Sequence, residues 1–194
     1  MELNRCDWCL KSQLEMDYHD TEWGKPLFDD GKLFEFIVLD TFQAGLSWAI
    51  VLKKREGFRA AFDGFDYRQI ARYNGEKLEE LAQNPLIIRN KLKIEATVGN
   101  AQAFIKIREE FGNFGVYLWA FVGNEPIVNH WETQKSVPAT SPQSDALSKD
   151  LSKRGFKFVG STICYAFMQA AGLVNDHLIG CFRYEMVQKS KLMP

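Results

Sequence analysis

Apolar residues recur at helical spacing along almost the whole chain, and no segment shows the alternation of apolar and polar residues that marks a half-buried strand. The longest periodic run extends from Asn84 to Gly112. One stripe of this run consists of Ile94, Val98, Ala101, Phe104 and Ile105. Because helices with apolar stripes bury them by packing on one another, we predict an all-α fold.

Helix boundaries follow from capping residues and glycines. Asp29 and Asp30 can cap a buried helix over KLFEFIVLDTFQAG, and Ser47 can cap one helix or a pair over SWAIVLKKREGFRAAF. Further helices are predicted at YRQIARY, EKLEELAQ, DALSKDLSKRG and STICYAFMQAAGL, of which the last two end at Gly155 and Gly172. The segment VNHWETQKSVPATSPQSD is rich in Pro, Ser and Thr, which predicts a loop.

Size and composition favour a single globular domain. The 194 residues are 46% apolar, which suffices for a core, and we assign residues 1–194 to one domain. The 24 Lys and Arg residues against 25 Asp and Glu leave a net charge of −1, so any nucleic-acid-binding face must be local. No apolar run is long enough for a membrane span and the N-terminus is too polar for a secretory signal. We therefore expect a cytoplasmic protein, by default a monomer.

The chain has four cysteines, which we expect to be reduced because a chain this apolar does not need disulfides. Cys6 and Cys9 form a CxxC pair, but a redox motif of this kind would need a βαβ context that the neighbouring residues do not supply. Cys164 lies on an apolar stripe, which predicts a packing role.

Cysteine and histidine occur together near both ends of the chain. His177 and Cys181 are four residues apart in LVNDHLIGC, and if this stretch is helical both side chains lie on one face. Near the other end, His19 follows Cys6 by thirteen residues. Two cysteines and two histidines are the standard closed ligand set of structural Zn²⁺, so these residues could join the two ends of the chain.

The spacing by itself leaves other assignments open. Cys9 could replace Cys6 as a ligand, and His130 could replace either of the other histidines. The same side chains could also be ordinary buried thiols and hydrogen-bonded imidazoles that bind no metal.

Several longer motifs occur in a specific order along the chain. Trp8 follows Cys6, and after it come YHDTEWG (18–24), QAGLSW (43–48), VLKKRE (51–56) and SKRGFKFVGSTICYAFMQAAGLVNDHLIGC (152–181). From residue 5 to about residue 182, the chain resembles the type I 3-methyladenine DNA glycosylases. Those proteins are bacterial, all-helical members of the helix-hairpin-helix glycosylase superfamily, in which a Cys, His, His, Cys zinc site joins the termini.

The resemblance implies a cofactor and a layout of the domain. Residues 5–30 and 173–182 would form terminal segments linked by zinc, and residues 31–172 a helical core with a base pocket and a hairpin. One structural zinc ion per chain would be bound by Cys6, His19, His177 and Cys181.

The resemblance also implies a pocket for a base. A glycosylase must take a nucleotide out of the duplex and hold its base by stacking and by edge hydrogen bonds. Tyr18 and Trp48 would contact the flipped base. Trp23 and Trp8 would shape the pocket, although in a chain with 15 Phe such aromatic residues would also suit a core.

Asp40 occupies the position at which the family typically has a glutamate that hydrogen-bonds the edge of 3-methyladenine. Aspartate is one methylene shorter, and we expect Asp40 to be the catalytic acid of the pocket, reaching the base directly or through a water. Phe42 is expected to adjust the shape of the pocket. Without the resemblance, Asp40 would be interpreted as a solvent-facing or capping acid.

Contacts with DNA are expected from a wedge, a hairpin and two basic clusters. The resemblance places the wedge in QAGLSW, where Gly allows close backbone approach and Leu can fill the gap that the base leaves. LAQNPLIIRNKLK is the predicted hairpin, and SKRGFKFVGS and KKR (53–55) are basic, although each cluster alone could be a solvated face. The residues assigned to DNA are Gly45, Leu46, Arg89, Asn90, Lys91, Lys153 and Arg154.

The leading interpretation is a DNA repair glycosylase that hydrolyses the N-glycosidic bond of 3-methyladenine in double-stranded alkylated DNA and releases the free base. Methylation at N3 makes the base cationic, which weakens the bond and suits a pocket of aromatic faces and a carboxylate. Because Asp40 replaces the usual glutamate, the alternative is a weak or redirected homologue that binds lesions. A zinc-stabilised scaffold for protein partners is a third hypothesis.

Overall fold

The structure is a computed structural model that describes residues 3–189. Short 3₁₀ turns cover Asp7–Lys11, Asp63–Phe65, Ala120–Val122 and Gln134–Ser136. The α-helices are α1 (Gln13–Thr21), α2 (Asp30–Gln43), α3 (Trp48–Ala61), α4 (Tyr67–Ile70), α5 (Gly75–Gln83), α6 (Lys91–Phe111), α7 (Phe114–Trp119), α8 (Pro142–Lys153), α9 (Ser161–Ala170) and α10 (Arg183–Lys189). This mostly helical architecture confirms the predicted fold class.

One short strand pair was not predicted. β1 (Ile127–Val128) pairs in parallel with β2 (Val174–Asn175), with Ile127 opposite Val174. Two residues per strand are too few to show an alternating pattern, so the sequence gives no signal for this pair. The pairing attaches the long loop after α7 to the segment that follows α9.

Local capping explains most helix boundaries. The Asp29 side chain accepts the Lys32 N–H at 2.8 Å and begins α2. The predicted loop after β1 extends only to residue 141, because Ser141 and Ser144 form a reciprocal capping box that begins α8 before Asp145. Ser47 precedes α3 as predicted, but its side chain makes no capping hydrogen bond.

The segment LVNDHLIGC is not helical, so that prediction was wrong. Val174 and Asn175 belong to β2, and residues 176–182 form turns before α10. The Asn175 side chain accepts the His177 N–H at 3.2 Å, and such a local bond competes with helix formation. His177 and Cys181 approach each other through a tight turn in which the Cys181 N–H donates to the Leu178 carbonyl at 2.8 Å.

Helix α2 lies at the centre of the core. Its residues 33–42 are all buried, and it packs against α3, α6, α7 and α9. A helix buried all round must also bury any polar residue in its sequence, which places Asp40 inside the molecule. In the described part of the chain, no helix combines the length and apolar character that crossing a bilayer would require.

Candidate active site and metal centre

Four side chains from the two ends of the chain converge into one buried cluster. Their ligating atoms all lie within 4.8 Å of one another. The Cys181 Sγ lies 3.4 Å from His19 Nε2 and 3.6 Å from His177 Nδ1, and the Cys6 Sγ lies 3.7 Å from His177 Nδ1. In a tetrahedral zinc site, ordinary Zn–S and Zn–N bond lengths place sulfur and nitrogen ligands about 3.6 Å apart. The four residues therefore fit a tetrahedral metal ion.

The second ring nitrogen of each histidine in the cluster has its own partner. His19 Nδ1 lies 2.8 Å from Asp20 Oδ1, and Asp20 in turn accepts a hydrogen bond from Arg5 at 2.8 Å. His177 Nε2 lies 3.3 Å from the Trp23 carbonyl oxygen. Such outer contacts orient an imidazole toward a metal. Burial lowers the pKa of His177, which favours the neutral ring that binds metals.

Both sulfur atoms of the cluster also accept backbone hydrogen bonds. The Leu178 N–H donates to Cys6 Sγ, and the Arg183 N–H donates to Cys181 Sγ, each at 3.4 Å. The hydrogen bond from the Cys6 thiol, with the contacts from the two histidines, lowers the pKa of Cys181. The same hydrogen bond raises the pKa of Cys6, so the pair favours one thiolate, on Cys181, and a thiolate is the form that binds a metal.

The structure decides between the alternatives for the ligand set. Cys9 is buried, but its Sγ donates to the Cys6 carbonyl at 3.1 Å and is outside the cluster. His130 is exposed and contacts the Tyr184 hydroxyl. Cys164 is buried on α9, which agrees with its predicted packing role, and its thiol donates to the Val159 carbonyl at 3.2 Å.

Gly24 is a residue of this site that the sequence analysis did not single out. Its φ is +77°, and a Cβ added to it would lie 2.8 Å from His177 Nε2. Only glycine adopts this conformation readily and leaves room for the imidazole. The YHDTEWG motif therefore supplies both a member of the cluster, His19, and the space for a second, His177.

A cavity of about 510 Å³ lies beside the cluster of cysteines and histidines. Its walls include all four aromatic residues predicted for the pocket: Trp8, Tyr18, Trp23 and Trp48. The ring centroids of Tyr18 and Trp48 are 5.2 Å apart, and those of Trp8 and Trp23 are 5.1 Å apart. The Trp23 ring lies edge-on to His177 at 4.5 Å, so one wall of the cavity rests on the cluster.

Asp40 faces this cavity from α2 and is only 3% exposed. Its Oδ2 has no hydrogen-bond partner among the described residues, and the indole N–H groups of Trp8 and Trp48 also lack one. Burial raises the pKa of Asp40 well above the usual range of a carboxyl group. Unpaired buried polar atoms around a cavity indicate a binding site for a polar ligand, because a ligand can supply the missing partners.

Phe42 does not line the cavity, and the expectation that it adjusts the pocket's shape was wrong. It is fully buried against Phe58 and Phe62, with ring centroids 4.6 and 6.2 Å away. Two residues along a helix correspond to about 200° of rotation, so Asp40 and Phe42 point to different sides of α2.

The cavity also contains polar residues that the sequence analysis missed, among them Glu15, Gln169 and Asp176. Asp176 accepts four hydrogen bonds of 2.7–2.8 Å. The donors are Asn129, Trp131, Tyr165 and Gln169. This network holds the loop after β1 against α9. Glu15 could have been found from its spacing, since it precedes Tyr18 by three residues on α1 and so lies on the same face.

Gly45 and Leu46 lie in the turn between α2 and α3, next to the pocket residue Trp48. Both are exposed, and Gly45 has a φ of +83°. Lys93 of α6 holds the end of α2 in place, because its Nζ donates to the carbonyls of Phe42 and Ala44 at 3.0 and 2.7 Å. The exposed Leu46 therefore lies on a turn whose start, the end of α2, is held in place by hydrogen bonds.

The predicted hairpin corresponds to residues 84–90, which connect α5 to α6. Arg89 is exposed, and Asn90 caps α6 by accepting the Lys93 N–H at 3.2 Å. Lys91 pairs with Glu79 of α5 at 3.1 Å. Because Lys93 also contacts the end of α2, the structure brings this connection close to the Gly45–Leu46 turn.

The other basic residues are less concentrated than their sequence clusters suggest. Lys153 is exposed, but Arg154 forms ion pairs of 2.6 Å with Glu110 and Asp150. Glu110 is near the opposite end of α6 from Asn90, so the structure does not bring Arg154 to the hairpin. In the KKR cluster, Arg55 is buried.

The burial of Arg55 is a correction to its expected place on a positive surface. Its guanidinium pairs with Glu22 at 2.7 Å and with Glu35 at 2.8 Å. These contacts tie α3 to α2 and to the residue that ends α1. Lys54 donates to the Pro85 carbonyl at 2.8 Å and so fastens the 84–90 connection to α3.

Comparison with known proteins places these features in a family. A family model for methyladenine glycosylase matches residues 8–184. The chain is 50% identical over 182 residues to DNA-3-methyladenine glycosylase 1 of Escherichia coli (strain K12), covering 94% of this chain and 97% of that protein. A crystal structure of 3-methyladenine DNA glycosylase I is 51% identical with a TM-score of 0.89, covering 92% of this chain and 98% of that chain.

A further solved structure carries a ligand. It is a tyrosine-to-phenylalanine variant of 3-methyladenine DNA glycosylase I in complex with 3-methyladenine. It is 34% identical to this chain with a TM-score of 0.90, covering 94% of this chain and 98% of that chain. The motif order, the helical fold and these matches agree, and the chain belongs to the methyladenine glycosylase family as a type I 3-methyladenine DNA glycosylase.

Proposed function

We propose that this protein hydrolyses the N-glycosidic bond of 3-methyladenine in alkylated double-stranded DNA. The observation that carries the proposal is Asp40, a buried acid with an unpaired oxygen in an aromatic cavity, in a chain half identical to a named 3-methyladenine glycosylase. The binding of 3-methyladenine by a related structure supports the same substrate.

The pocket would select the damaged base by charge and shape. In this proposal the nucleotide rotates out of the duplex, and Leu46 fills the gap while Gly45 allows the backbone to approach. The base then lies among the faces of Tyr18 and Trp48, which favour a cationic ring. Asp40 accepts a hydrogen bond from the base edge, and a neutral adenine gains less from each of these contacts.

The reaction needs little activation of water because the leaving group is already activated. The C1′–N9 bond breaks, its electron pair goes to the cationic base, and 3-methyladenine leaves as a neutral molecule. Water adds to C1′ and gives up one proton, which leaves an abasic site. The role of Asp40 and the aromatic walls is to bind and orient the cationic base and to exclude bulk water.

We also propose that the cluster of Cys6, His19, His177 and Cys181 binds one structural Zn²⁺. The mixed sulfur and nitrogen ligands, their spacing and their outer hydrogen bonds suit zinc. Four protein ligands leave no open position for water, so bound zinc would join residues 5–30 to residues 173–182 and would take no part in the reaction.

For the DNA backbone, we propose that α5, residues 84–90 and α6 form the helix-hairpin-helix element. The N-terminus of α6 would present amides to a phosphate, with Arg89, Asn90 and Lys91 beside it. Lys153 and Arg154 would add phosphate contacts at a second place on the protein. The related glycosylase of Escherichia coli is bacterial, and bacterial DNA lies in the cytoplasm. The cytoplasm is therefore the proposed place of action.

The test is release of free base from methylated DNA by the natural protein and by Asp40→Glu, with 3-methyladenine and 7-methylguanine scored separately. We expect 3-methyladenine release by the natural protein, and no comparable release of 7-methylguanine. Release by the Glu variant alone would contradict the proposal and favour a lesion-binding homologue. In that case the natural protein should still bind abasic DNA tightly without turnover.

A further inference from the structure

Glu15 is a buried acid to which the proposed function gives no role. It lies in the first turn of α1, lines the cavity and is only 4% exposed. Its Oε2 accepts a hydrogen bond from the Ser12 hydroxyl at 2.9 Å, and its backbone N–H donates to Ser12 Oγ at 3.2 Å. Among residues 3–189, its second carboxyl oxygen has no hydrogen-bond partner and no cation pairs with it.

Helix capping explains only half of this arrangement. Ser12 and Glu15 form a capping pair at the start of α1, and this pair uses one carboxyl oxygen. The other oxygen has no partner among residues 3–189, and unlike Asp40 Oδ2 it is not fully buried. Because Glu15 lines the cavity and is almost wholly covered elsewhere, this oxygen is available to a ligand in the cavity.

The other charged side chains around the cavity do not supply that partner. Lys11 is exposed at the rim and forms no ion pair with Glu15. Asp176 is occupied by its four donors. Two acids with a free oxygen remain, Glu15 on α1 and Asp40 on α2, and the Tyr18 ring lies one turn from Glu15 on the same helix.

We propose that Glu15 is a second base-binding residue, which together with Asp40 holds an alkylated purine by its N–H donors. The inference rests on the proposed function, because it assumes that the cavity receives the flipped base. An exocyclic amine offers two N–H donors, both in the cationic base within DNA and in the neutral free base. Hydrogen bonds to an ionised carboxylate are about twice as strong as those between neutral groups. Two acids on different helices also fix the orientation of the ring between the aromatic walls.

The experiment compares Glu15→Gln with the natural protein. Glutamine keeps the acceptor for Ser12 and the size of the side chain but removes the charge. The matched control is Asp17→Asn, because Asp17 is an exposed acid of the same helix whose only described side-chain partner is Gln13. The readouts are kcat/KM for 3-methyladenine release, the Kd of free 3-methyladenine from tryptophan fluorescence, the Kd of duplex DNA with an abasic analogue, and Tm.

We expect Glu15→Gln to lower kcat/KM and free-base affinity about tenfold. Its affinity for abasic DNA and its Tm should equal those of the natural protein within error. For Asp17→Asn, abasic-DNA affinity and Tm should likewise be unchanged. Free-base affinity within twofold of the natural value would overturn the inference. Parallel losses of Tm and abasic-DNA binding would overturn it too, since they would indicate a capping role. If the natural protein released no 3-methyladenine, the proposed function would fail, and the free-base Kd would still decide the role of Glu15.

Discussion

The cluster of cysteines and histidines and the aromatic cavity share a wall but differ in how their polar atoms are paired. At the cluster, both sulfur atoms accept backbone N–H groups, and the outer nitrogen of each imidazole contacts an oxygen. In the cavity, Asp40 Oδ2 and the indole N–H groups of Trp8 and Trp48 are buried without partners among the described residues. The Trp23 ring lines the cavity, and its centroid lies 4.5 Å from that of the His177 ring, so the two regions are in direct contact.

The difference separates two uses of buried polar groups. A network whose members are all paired fixes one arrangement of the chain, which suits a site that joins two distant segments. Unpaired buried groups lower the free energy of unfolding of the free protein. The same groups can bind a ligand that pairs with them, so a binding site costs some stability. Changes at the cluster should therefore alter folding, and changes at the cavity should alter excision.

The largest expected effect comes from removing the proposed zinc ion. Chelation, or the change Cys6→Ser, should lower Tm by at least about 10 °C. In a domain of this size a loss of 1 kcal/mol in the free energy of unfolding lowers Tm by about 2–4 °C, and loss of a structural zinc ion costs several kcal/mol. Thermal melts followed by circular dichroism check this, with Cys9→Ser as the control because Cys9 lies outside the cluster. Unchanged helical content and Tm after complete metal removal would contradict a structural role.

The next largest effect is expected from Asp40→Asn. Loss of the acid should slow 3-methyladenine release about a hundredfold, as removal of one transition-state contact commonly does. The folded state raises the pKa of Asp40. The natural protein therefore loses stability as pH rises from about 4, the usual carboxyl pKa, toward the raised value.

The Asn variant lacks this loss of stability. Its Tm minus that of the natural protein should increase with pH over the same interval, which melts between pH 4 and 8 can measure. A difference that stays constant with pH would show that Asp40 is not an unpaired buried acid in the folded protein.

A smaller effect is expected from Gly24→Ala. The methyl group would be forced against His177 in a left-handed conformation, and we expect a loss of about 2 kcal/mol in the free energy of unfolding. The control is Gly99→Ala in α6, where a Cβ meets nothing within 4 Å and should stabilise the helix by about 0.5–1 kcal/mol. Equal effects of both changes in urea denaturation would argue against a special role for Gly24.

The smallest effect on folding is expected at the wedge. Leu46 is 40% exposed, so Leu46→Ala should leave Tm unchanged while it slows excision about tenfold, because the gap in the duplex is no longer filled. Single-turnover kinetics on methylated DNA measure this. Val116→Ala on α7, which is 54% exposed, is the matched control. A similar loss of excision in both variants would remove the support for a wedge.

Features carried by short stretches of sequence were predictable. The apolar stripe of α6, the cap at Asp29 and the glycines at 155 and 172 follow from local pattern, and the structure has them. The turn at His177 was not predictable from periodicity, because one side-chain bond from Asn175 replaces a helix. The pairing of Arg154 with Glu110 was also hidden, since the two residues are 44 positions apart.

By itself, the sequence determined that this chain is helical, that cysteine and histidine lie at both ends, and that its motifs follow the order of one family. Only the tertiary structure decided that Cys9 and His130 stay outside the cluster, that Phe42 turns away from the cavity, and that Glu15 enters it. The physical reason is range. Helix periodicity is set within a few residues, whereas the cluster joins Cys6 to His177 across 171 positions, and such contacts depend on how the whole core packs.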